Sequence, residues 1–522
     1  MDRFVCAIDV GTRSARAGIF DSGGRALSHH TRPIGLWEED GMRAEHASED
    51  IWQAVCAAVR DAVAGANVAP GSVAAVAFDA TCSLVLRDTS DAPLPLGPEG
   101  RDTIAWFDHR AVAEAAECTA TGHRVLDHAG GTMSPEMQCP KLMWLKRHRP
   151  DLWPRMGRAM DLTDFLTWRA SGQDLRSTCT LVAKWTHLPH AGGWQRDFLD
   201  AIGLDDLAAR ASVPAMPTAP GTAAGPLTPA AADELGLTTA CTVAVGLIDA
   251  FAGTLGVMGG LAPRDRAGAL AMIAGTSTCV MSMSDMAWRG RGIWGPYPGA
   301  ILPGLWVNEG GQSATGALLD HVLHTYAPDR DASPAAHRRV AARISAALAR
   351  EGGGFGRGLD ILPDFNGNRT PLADPMAYGV VSGLTLDTGE GALDRLYWRA
   401  AVALALGLRQ IVAQMETGGT RIERLLITGG HARNALLMQL YADATGREVQ
   451  LSTQPDSVLL GTAMTAAAAA GLHPGLPAAA QAMAGRPGCL KPDPSRRAGY
   501  DRDYAVFLRM QAHRAELSAM PR

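Results

Sequence analysis

Two glycine–threonine turns are the segments of this chain best suited to hold a phosphate group. The first is Asp9-Val-Gly11-Thr12, and the second is Gly275-Thr276-Ser-Thr278. In each turn the glycine lets the backbone approach an anion, and the N–H and hydroxyl groups that follow can donate to its oxygens. Either turn alone is also typical of an ordinary β-hairpin. Two such turns together predict a clamp for one polyphosphate.

Two aspartates are candidates for chemistry beside these turns. Asp9, at the end of the first apolar strand, could hold a hydrated Mg²⁺, an ion that keeps its waters and takes few protein carboxylates. Asp249 lies between apolar neighbours after a predicted strand. A partly desolvated carboxylate has a raised pKa and can accept a proton from an alcohol. An aspartate at this position is also common as a helix N-cap.

A polar segment, Trp106-Phe-Asp108-His-Arg110, has the residue types that bind a polyhydroxylated ligand. In an extended strand Trp106, Asp108 and Arg110 would share one face. An aromatic plate would then lie beside a carboxylate that accepts from hydroxyls and a guanidinium that donates. An exposed, salt-bridged strand is the alternative.

Residues 425–440 predict a strand, the pair Gly429-Gly430, and then a helix. Paired glycines would let a base or ribose approach the backbone at the helix N-terminus, with Asn434 bonding to the base. A tight turn with Asn434 near the helix cap is the alternative.

These residues are carried by helices that alternate with short apolar strands, which indicates an α/β protein with mixed sheets. A helix is predicted at 48–65 with Ser48 as its N-cap, and a long one at 395–415. The Pro/Gly/Ala-rich stretches 213–230 and 472–488 predict surface connections. Buried strands are predicted at 73–78, 241–246, 270–273 and 425–428.

The two Gly-Thr turns also indicate an internal repeat. Each turn stands between two apolar strands, and the two turns lie about half the chain apart. Two lobes that each begin with such a hairpin would explain both the internal repeat and the length of 522 residues. We therefore expect lobes at 1–252 and 253–522.

Composition excludes several classes of protein. The hydrophobic fraction is 47% and the charged fraction 19%, as in a packed protein. The formal charge of −5 argues against nucleic acid as the main partner and gives no attraction to anionic membranes. No uncharged apolar run is long enough for a membrane span, and the apolar stretch near Met1 is too short for a signal peptide. Nine scattered cysteines without a Cys-x-x-Cys pair predict reduced thiols and a cytoplasmic location.

Taken in order, these segments resemble the FGGY family of carbohydrate kinases, and the resemblance runs essentially from end to end. Its most specific stretches are Phe78-Asp-Ala-Thr-Cys-Ser83, Trp106–Arg110, Ser134–Trp144, Gly246–Gly253 and Asn366–Pro375. Together they are most similar to the ribulose-kinase branch. The resemblance implies an actin/hexokinase-like (ribonuclease H-like) fold of two lobes, with mixed sheets flanked by helices and with ATP and sugar in the cleft between the lobes.

The resemblance also implies roles for individual residues. Asp249 matches the catalytic base and a sugar contact, and Asp9 matches the residue near Mg²⁺. Nucleotide and phosphate contacts are implied at Thr12, Arg13, Ser14, Arg16, Gly275, Thr276, Gly316, Gly430 and Asn434. Sugar contacts are implied at Cys82, Ser83, Trp106, Glu136, Lys184 and Glu309.

The expected activity is MgATP-dependent phosphorylation of a pentulose at its C5 hydroxyl, with D-ribulose favoured. Thr81-Cys82-Ser83 stands where xylulose kinases usually carry Gln-Met-His and glycerol kinases Gln-Arg-Glu, which speaks against those substrates. L-ribulose, xylulose, ribitol and erythritol remain open, as does an actin-like or chaperone-like ATPase. Homodimers are frequent in the family, which leaves a homodimer open, although no segment of the sequence marks an interface.

Overall fold

The computed structural model describes residues 3–327, 329–452, 454, 456–485 and 487–520. Strands are β1 (Phe4–Val10), β2 (Ser14–Phe20), β3 (Ala26–Pro33), β4 (Trp37–Glu39), β5 (Arg43–His46), β6 (Val73–Ala80), β7 (Leu84–Asp88), β8 (Thr103–Ile104), β9 (Met156–Asp161), β10 (Ala223–Pro226), β11 (Thr242–Ile248), β12 (Ala269–Ala274), β13 (Thr278–Ser284), β14 (Trp294–Pro298), β15 (Trp306–Gln312), β16 (Asp360–Leu362), β17 (Val380–Ser382), β18 (Arg424–Thr428), β19 (Glu448–Leu451) and β20 (Gly488–Leu490).

Helices lie between and outside these strands and cover the sheets. They are α1 (Ser48–Ala66), α2 (Val112–Ala120), α3 (Gln138–His148), α4 (Leu162–Ser171), α5 (Thr178–Lys184), α6 (Arg196–Ala201), α7 (Leu207–Ala211), α8 (Pro229–Leu235), α9 (Asp249–Met258), α10 (Pro263–Ala267), α11 (Gly316–Tyr326), α12 (Pro334–Glu351), α13 (Glu390–Glu416), α14 (Ala435–Thr445), α15 (Ser457–Ala469), α16 (Leu476–Met483) and α17 (Arg497–Ser518).

Two mixed sheets of the same design form the centre of the molecule. The first has the order β10-β11-β6-β1-β2-β3 and the second the order β14-β15-β13-β12-β18-β19-β20. In the first sheet β1 pairs antiparallel with β2 and parallel with β6. In the second sheet β12 pairs antiparallel with β13 and parallel with β18. The internal repeat predicted from the two turns is therefore present as a repeated sheet topology. The predicted α/β fold with mixed sheets is confirmed.

The central strands are buried on both faces, which is why they read as continuous apolar runs. All eight residues of β6 are buried, as are six of the seven in β1. A five-stranded sheet, β4-β5-β8-β7-β9, is attached to the first half of the chain. It carries the loop that follows β8 toward the carboxyl ends of β1 and β6, where the first Gly-Thr turn lies.

Helices α9 and α15 cross so closely that backbone meets backbone. A Cβ on Gly256 would lie 1.9 Å from the Ser457 carbonyl oxygen, and one on Gly461 would lie 1.9 Å from that of Ala252. Only glycine fits at such a crossing. The expected boundary between residues 252 and 253 falls inside α9 and remains a prediction.

Two local expectations are wrong. Ser48 is not an N-cap: the helix begins at Ser48 itself, and its hydroxyl donates to Asp102 at 2.6 Å. The stretch 472–488 is not merely a surface connection, because within its described part α16 buries Leu476 and Met483 against α15. Local composition indicates turns and loops, but it does not show which short apolar helix will pack against the core.

The long helix predicted at 395–415 is α13. Among the described residues it is the one helix long and apolar enough to cross a membrane by length and composition, yet 83% of its most apolar window is buried inside the protein. It packs against α11, α12 and α14. It is therefore a core helix of this fold.

Candidate active site

Three aspartates lie at the carboxyl ends of neighbouring strands. Asp9 of β1 is in register with Asp79 of β6, and Asp79 is in register with Leu247, two residues before Asp249. Parallel strands end at the same edge of a sheet, so the three carboxylates are brought together there. Asp9 and Asp79 are buried, and Asp249 is the first residue of α9.

Burial and the nearness of the three carboxyl groups raise the pKa of two of them. Burial, and then the charge of Asp9, raise the pKa of Asp249 from 3.8 to about 7. Burial and the same neighbour raise the pKa of Asp79 well above its ordinary value. Asp249 accepts a hydrogen bond from the N–H of Ala250 at 2.7 Å, so it occupies a helix start and still faces the cleft. A carboxyl that titrates near pH 7 can accept a proton under neutral conditions.

The carboxylates also suit a divalent cation. Asp79 Oδ1 is buried and makes no hydrogen bond to any described residue. Nowhere in the described part of the chain do three His, Cys, Asp or Glu side chains form a metal-binding group. A hydrated Mg²⁺ needs only one or two protein carboxylates, so Asp9 and its neighbour fit that ion rather than a tightly coordinated metal.

The two Gly-Thr turns face one cavity of about 310 Å³. Each is closed by a short hydrogen bond, from Gly11 N to the Ser14 carbonyl at 3.0 Å and from Gly275 N to the Ser277 carbonyl at 2.9 Å. Arg16, on β2 beside the first turn, pairs with Asp9 and donates to Asp456 at 2.5 Å. The cavity thus has a hairpin from each sheet on its wall and a guanidinium beside the first.

The second turn is supported from behind by the start of α11. The N–H of Gly316 donates to the Gly275 carbonyl at 3.1 Å, and that of Thr315 donates to the Thr276 carbonyl at 2.9 Å. Gly429 has a φ of +92°, and a Cβ there would lie 2.4 Å from the Ala274 carbonyl oxygen. Glycine is therefore required where β18 turns beside the second hairpin.

Charged and aromatic side chains form the part of the cavity away from the turns. Lys184, the last residue of α5, lies 4.0 Å from Glu309 of β15 and 4.5 Å from the centre of the Trp294 ring. Burial opposes the charge of Lys184, but Cys82 and then Glu309 raise its pKa above the usual value. Glu309 Oε2 and the Tyr297 hydroxyl are buried and make no hydrogen bond to any described residue. Buried polar atoms normally have partners, so Glu309 Oε2, which lines the cavity, calls for a ligand hydroxyl group, whereas Tyr297 is not part of the cavity lining.

Trp106 joins this part of the cavity to the first turn. Its indole N–H donates to the Thr12 hydroxyl at 3.0 Å. Its backbone N–H donates to the Ser83 hydroxyl at 3.1 Å, and the buried Lys141 donates to its carbonyl at 3.2 Å. Ser83 and Lys141 therefore fix the loop that presents the indole.

The extended arrangement expected for Trp106, Asp108 and Arg110 is wrong. The chain turns after β8, so Trp106 lies in the cleft while the other two point into the protein. Asp108 accepts from Ala44 N at 2.7 Å, and Arg110 pairs with both Asp108 and Glu45. The pattern of charges is the same in a strand and in a turn, which is why sequence alone could not separate them.

Most of the expected site residues meet in the one cavity. Those that line it are Asp9, Thr12, Arg16, Cys82, Trp106, Glu136, Lys184, Asp249, Gly275, Thr276, Glu309 and Gly430.

Five expected contacts lie outside the cavity lining. Arg13 is exposed and pairs with Glu38 at 2.8 Å. Asn434 caps α14, its side-chain oxygen accepting from Leu436 and Leu437. Ser14 closes the first turn, Ser83 supports Trp106, and Gly316 supports the second turn, as described above. For these five, a direct ligand contact remains a prediction.

Outside the two turns, three polar or thiol side chains of the cavity lining had no site role assigned from the sequence: Thr81, Cys279 and Arg369. Thr81 follows Asp79 by two residues, so the strand-end pattern could have found it. Cys279 lies on β13 just after the second turn. Arg369 lies in the stretch Asn366–Pro375, which the family resemblance singles out, but no local spacing indicates that its side chain enters the cleft.

Comparison with known proteins gives matches over nearly the whole chain. The N-terminal domain of the FGGY family of carbohydrate kinases matches residues 4–256, and the C-terminal domain of that family matches residues 270–470. An FGGY carbohydrate kinase domain-containing protein of Xenopus laevis is 40% identical, over 99% of this chain and 98% of its own. A D-ribulokinase of Saccharomyces cerevisiae is 34% identical, over 90% of this chain and 72% of its own. The crystal structure of xylulose kinase from Rhodospirillum rubrum has a TM-score of 0.80 at 24% identity, with 99% of each chain covered, and shows the shared fold.

Proposed function

We propose that this chain, which belongs to the FGGY family of carbohydrate kinases, transfers the terminal phosphoryl group of MgATP to the C5 hydroxyl of a pentulose, D-ribulose in the first place. The family makes the protein a sugar kinase. The observation that carries the finer proposal is Asp249, a carboxylate with a pKa of about 7 in the same cavity as both Gly-Thr turns.

The phosphates of the nucleotide are assigned to the two turns. Phosphoryl transfer depends mainly on positioning and electrostatic stabilisation, so backbone N–H groups and hydroxyls at Thr12 and Thr276 suffice on the protein side, with Arg16 beside them. Mg²⁺, when bound near Asp9, would neutralise charge on the phosphate oxygens. The ordering of both turns by backbone hydrogen bonds means that little reorganisation is needed when the nucleotide binds.

The sugar is assigned to the other part of the cavity, with its terminal hydroxyl toward Asp249. Asp249 orients this hydroxyl and accepts its proton, a contribution of roughly 10²–10⁴-fold in rate. Lys184 donates to the sugar, and the unpaired oxygen of Glu309 accepts from it. Closure around both ligands would exclude water that could otherwise attack the nucleotide.

D-ribulose is favoured because the D-ribulokinase of Saccharomyces cerevisiae is 34% identical over most of this chain. The run Thr81-Cys82-Ser83, of which Thr81 and Cys82 line the cavity, agrees with that choice. The test is a coupled ADP assay with purified protein, MgATP and a panel of D-ribulose, L-ribulose, D-xylulose and ribitol. We expect the highest kcat/KM for D-ribulose and dependence on Mg²⁺. ATP hydrolysis that ignores every sugar in the panel would refute the proposal and favour an ATPase.

A further inference from the structure

An ion pair between the two halves of the chain closes one end of the sugar region. Arg369 Nη2 donates to both carboxylate oxygens of Glu136, at 3.1 and 3.3 Å, across 233 residues of sequence. The two side chains are only 7% and 11% exposed. The guanidinium also lies 5.8 Å from the centre of the Trp106 ring and 5.4 Å from that of Trp294. Glu136 and two aromatic rings therefore hold Arg369 in one orientation.

The same pair divides two cavities. Glu136 and Arg369 are the residues shared by the linings of the main cavity of about 310 Å³ and of a second one of about 60 Å³. The second cavity is formed by the loops around Ser134 and Asn366. Because the pair lies between them, it is the end wall of the cleft on the sugar side.

One donor of Arg369 lacks a strong acceptor. Its Nη1 donates to the Cys279 sulfur at 3.8 Å, and a thiol is a weak acceptor. Cys279 in turn lies 3.8 Å from Glu309 Oε1. Burial would raise the pKa of Glu136, but Arg369 and then Lys184 lower it, so its carboxylate is ionised and committed to the ion pair. The Nη1 group of Arg369 is therefore a charged donor whose acceptor is the weakly accepting sulfur of Cys279.

Two cations, Arg369 and Lys184, therefore lie at this end of the cleft, each near one carboxylate, Glu136 and Glu309 respectively. A hydroxyl group can both donate and accept, so it can bind to either kind of group, whereas a carbonyl oxygen only accepts. The carboxylate of Glu136 is already engaged, and the underused donor is Nη1 of Arg369. An acceptor-only oxygen satisfies Nη1 completely, whereas a hydroxyl there would also need an acceptor for its own proton, and the adjacent Glu136 carboxylate is already engaged by Arg369.

We propose that Arg369, held by Glu136, binds the carbonyl end of the ketose and makes the site distinguish a ketose from the corresponding alditol. This inference rests on the proposed function, because it takes a pentulose as the ligand. It adds a specificity-determining residue from the second half of the chain to a sugar region formed largely by the first.

The test compares binding of D-ribulose and ribitol, measured by isothermal titration calorimetry without nucleotide. The variants are Arg369→Met, Arg369→Lys, Glu136→Gln and the double variant Glu136→Gln/Arg369→Met. The double variant removes both charges, so it leaves no unpaired buried carboxylate and carries the test if Arg369→Met does not fold. The dissociation constant of ADP is measured for each protein as a check that the nucleotide region is intact.

We expect Arg369→Met and the double variant to bind D-ribulose roughly 10- to 100-fold more weakly, the loss of one charge-assisted hydrogen bond, and ribitol less than about threefold more weakly. Arg369→Lys keeps the charge but not the planar fork and should fall between the wild type and Arg369→Met. Glu136→Gln should weaken ribulose binding less than Arg369→Met does, since the guanidinium remains.

Equal losses for ribulose and ribitol, or unchanged ribulose binding in the double variant, would overturn the inference while leaving the proposed function standing. A wild-type protein that binds ADP but neither ribulose nor any other pentulose would overturn both. The two failures are distinguished by the wild-type titration alone.

Discussion

Replacement of Asp249 by asparagine should make the protein more stable as well as less active, and the gain should grow with pH. The structure raises the pKa of this carboxyl from 3.8 to about 7, through burial first and Asp9 second. Each unit corresponds to 1.36 kcal/mol, so the fold opposes ionisation of Asp249 by an amount of order 4 kcal/mol.

The direction of the effect follows from proton binding. Below pH 4 both the folded and the unfolded chain keep the proton, and ionisation costs nothing. Between pH 4 and pH 7 the unfolded chain releases a proton that the folded protein retains, so stability falls as pH rises. Above pH 7 the loss is complete. Asparagine never ionises, so the advantage of Asp249→Asn appears above pH 4 and is full at pH 8.

The assay is thermal unfolding of the ligand-free protein between pH 5 and pH 8, beside steady-state kinetics. Asp249→Asn should melt a few degrees above the wild type at pH 8 and show a smaller gain at pH 5. Asp285→Asn, a change at an exposed aspartate, should follow the wild type at every pH. In the coupled assay, kcat of Asp249→Asn should fall by roughly 10²–10⁴-fold, and wild-type kcat/KM should rise with pH through an inflection near 7.

The reasoning would be refuted by a melting difference that does not change with pH, or by a variant less stable than the wild type at pH 8. Wild-type turnover in Asp249→Asn would separately remove the residue from its proposed role. The two readouts are independent, because the first tests the environment of the carboxyl and the second its chemistry.

Two further predictions concern the nucleotide side and the helix crossing. Asp456→Asn keeps a residue able to cap α15 but removes the ion pair with Arg16, so KM for ATP should rise several-fold while KM for the sugar changes little; a selective rise in sugar KM would contradict this assignment. Gly461→Ala places a methyl group 1.9 Å from the Ala252 carbonyl and should cost about 1–3 kcal/mol of unfolding free energy, measured by chemical denaturation. Gly391→Ala, on an accessible helix start, is its control, and equal effects of the two changes would argue against a tight crossing.

The Gly-Thr turns and the aspartates at strand ends could be predicted, because a short stretch of sequence is enough to identify each of them. A strand that ends in a Gly-Thr turn can be seen in eight or ten residues, and parallel strands bring their ends together, so Asp9 and Asp249 could be placed at one edge. The helices predicted at 48–65 and 395–415 and the four predicted buried strands lie within about five residues of elements of the structure for the same reason. The repeated turns also indicated the repeated sheet, because the repeated unit, a strand, a Gly-Thr turn and a second strand, is short enough to see in the local sequence.

The parts that were missed depend on how distant segments pack. Arg369 meets Glu136 across 233 residues, and Arg16 meets Asp456 across 440, so no local spacing carries either contact. Asp108 and Arg110 were candidates for a polyhydroxylated ligand, but Arg110 pairs with Asp108 and with Glu45, which lies on β5 of the small sheet. Charge and residue type indicate what a side chain can bind, and only the tertiary structure decides which group it meets.

The indole of Trp106 belongs to both of the proposed ligand regions, since its ring lines the cavity and its N–H group donates to Thr12 in the first turn. A sugar that fixes this ring also fixes a hydroxyl on the phosphate side. Thermodynamic reciprocity then requires that any increase in nucleotide affinity caused by the sugar be matched by an equal increase in sugar affinity caused by the nucleotide. The coupling free energy is therefore the same whichever substrate binds first, and this one hydrogen bond can carry it without a separate regulatory element.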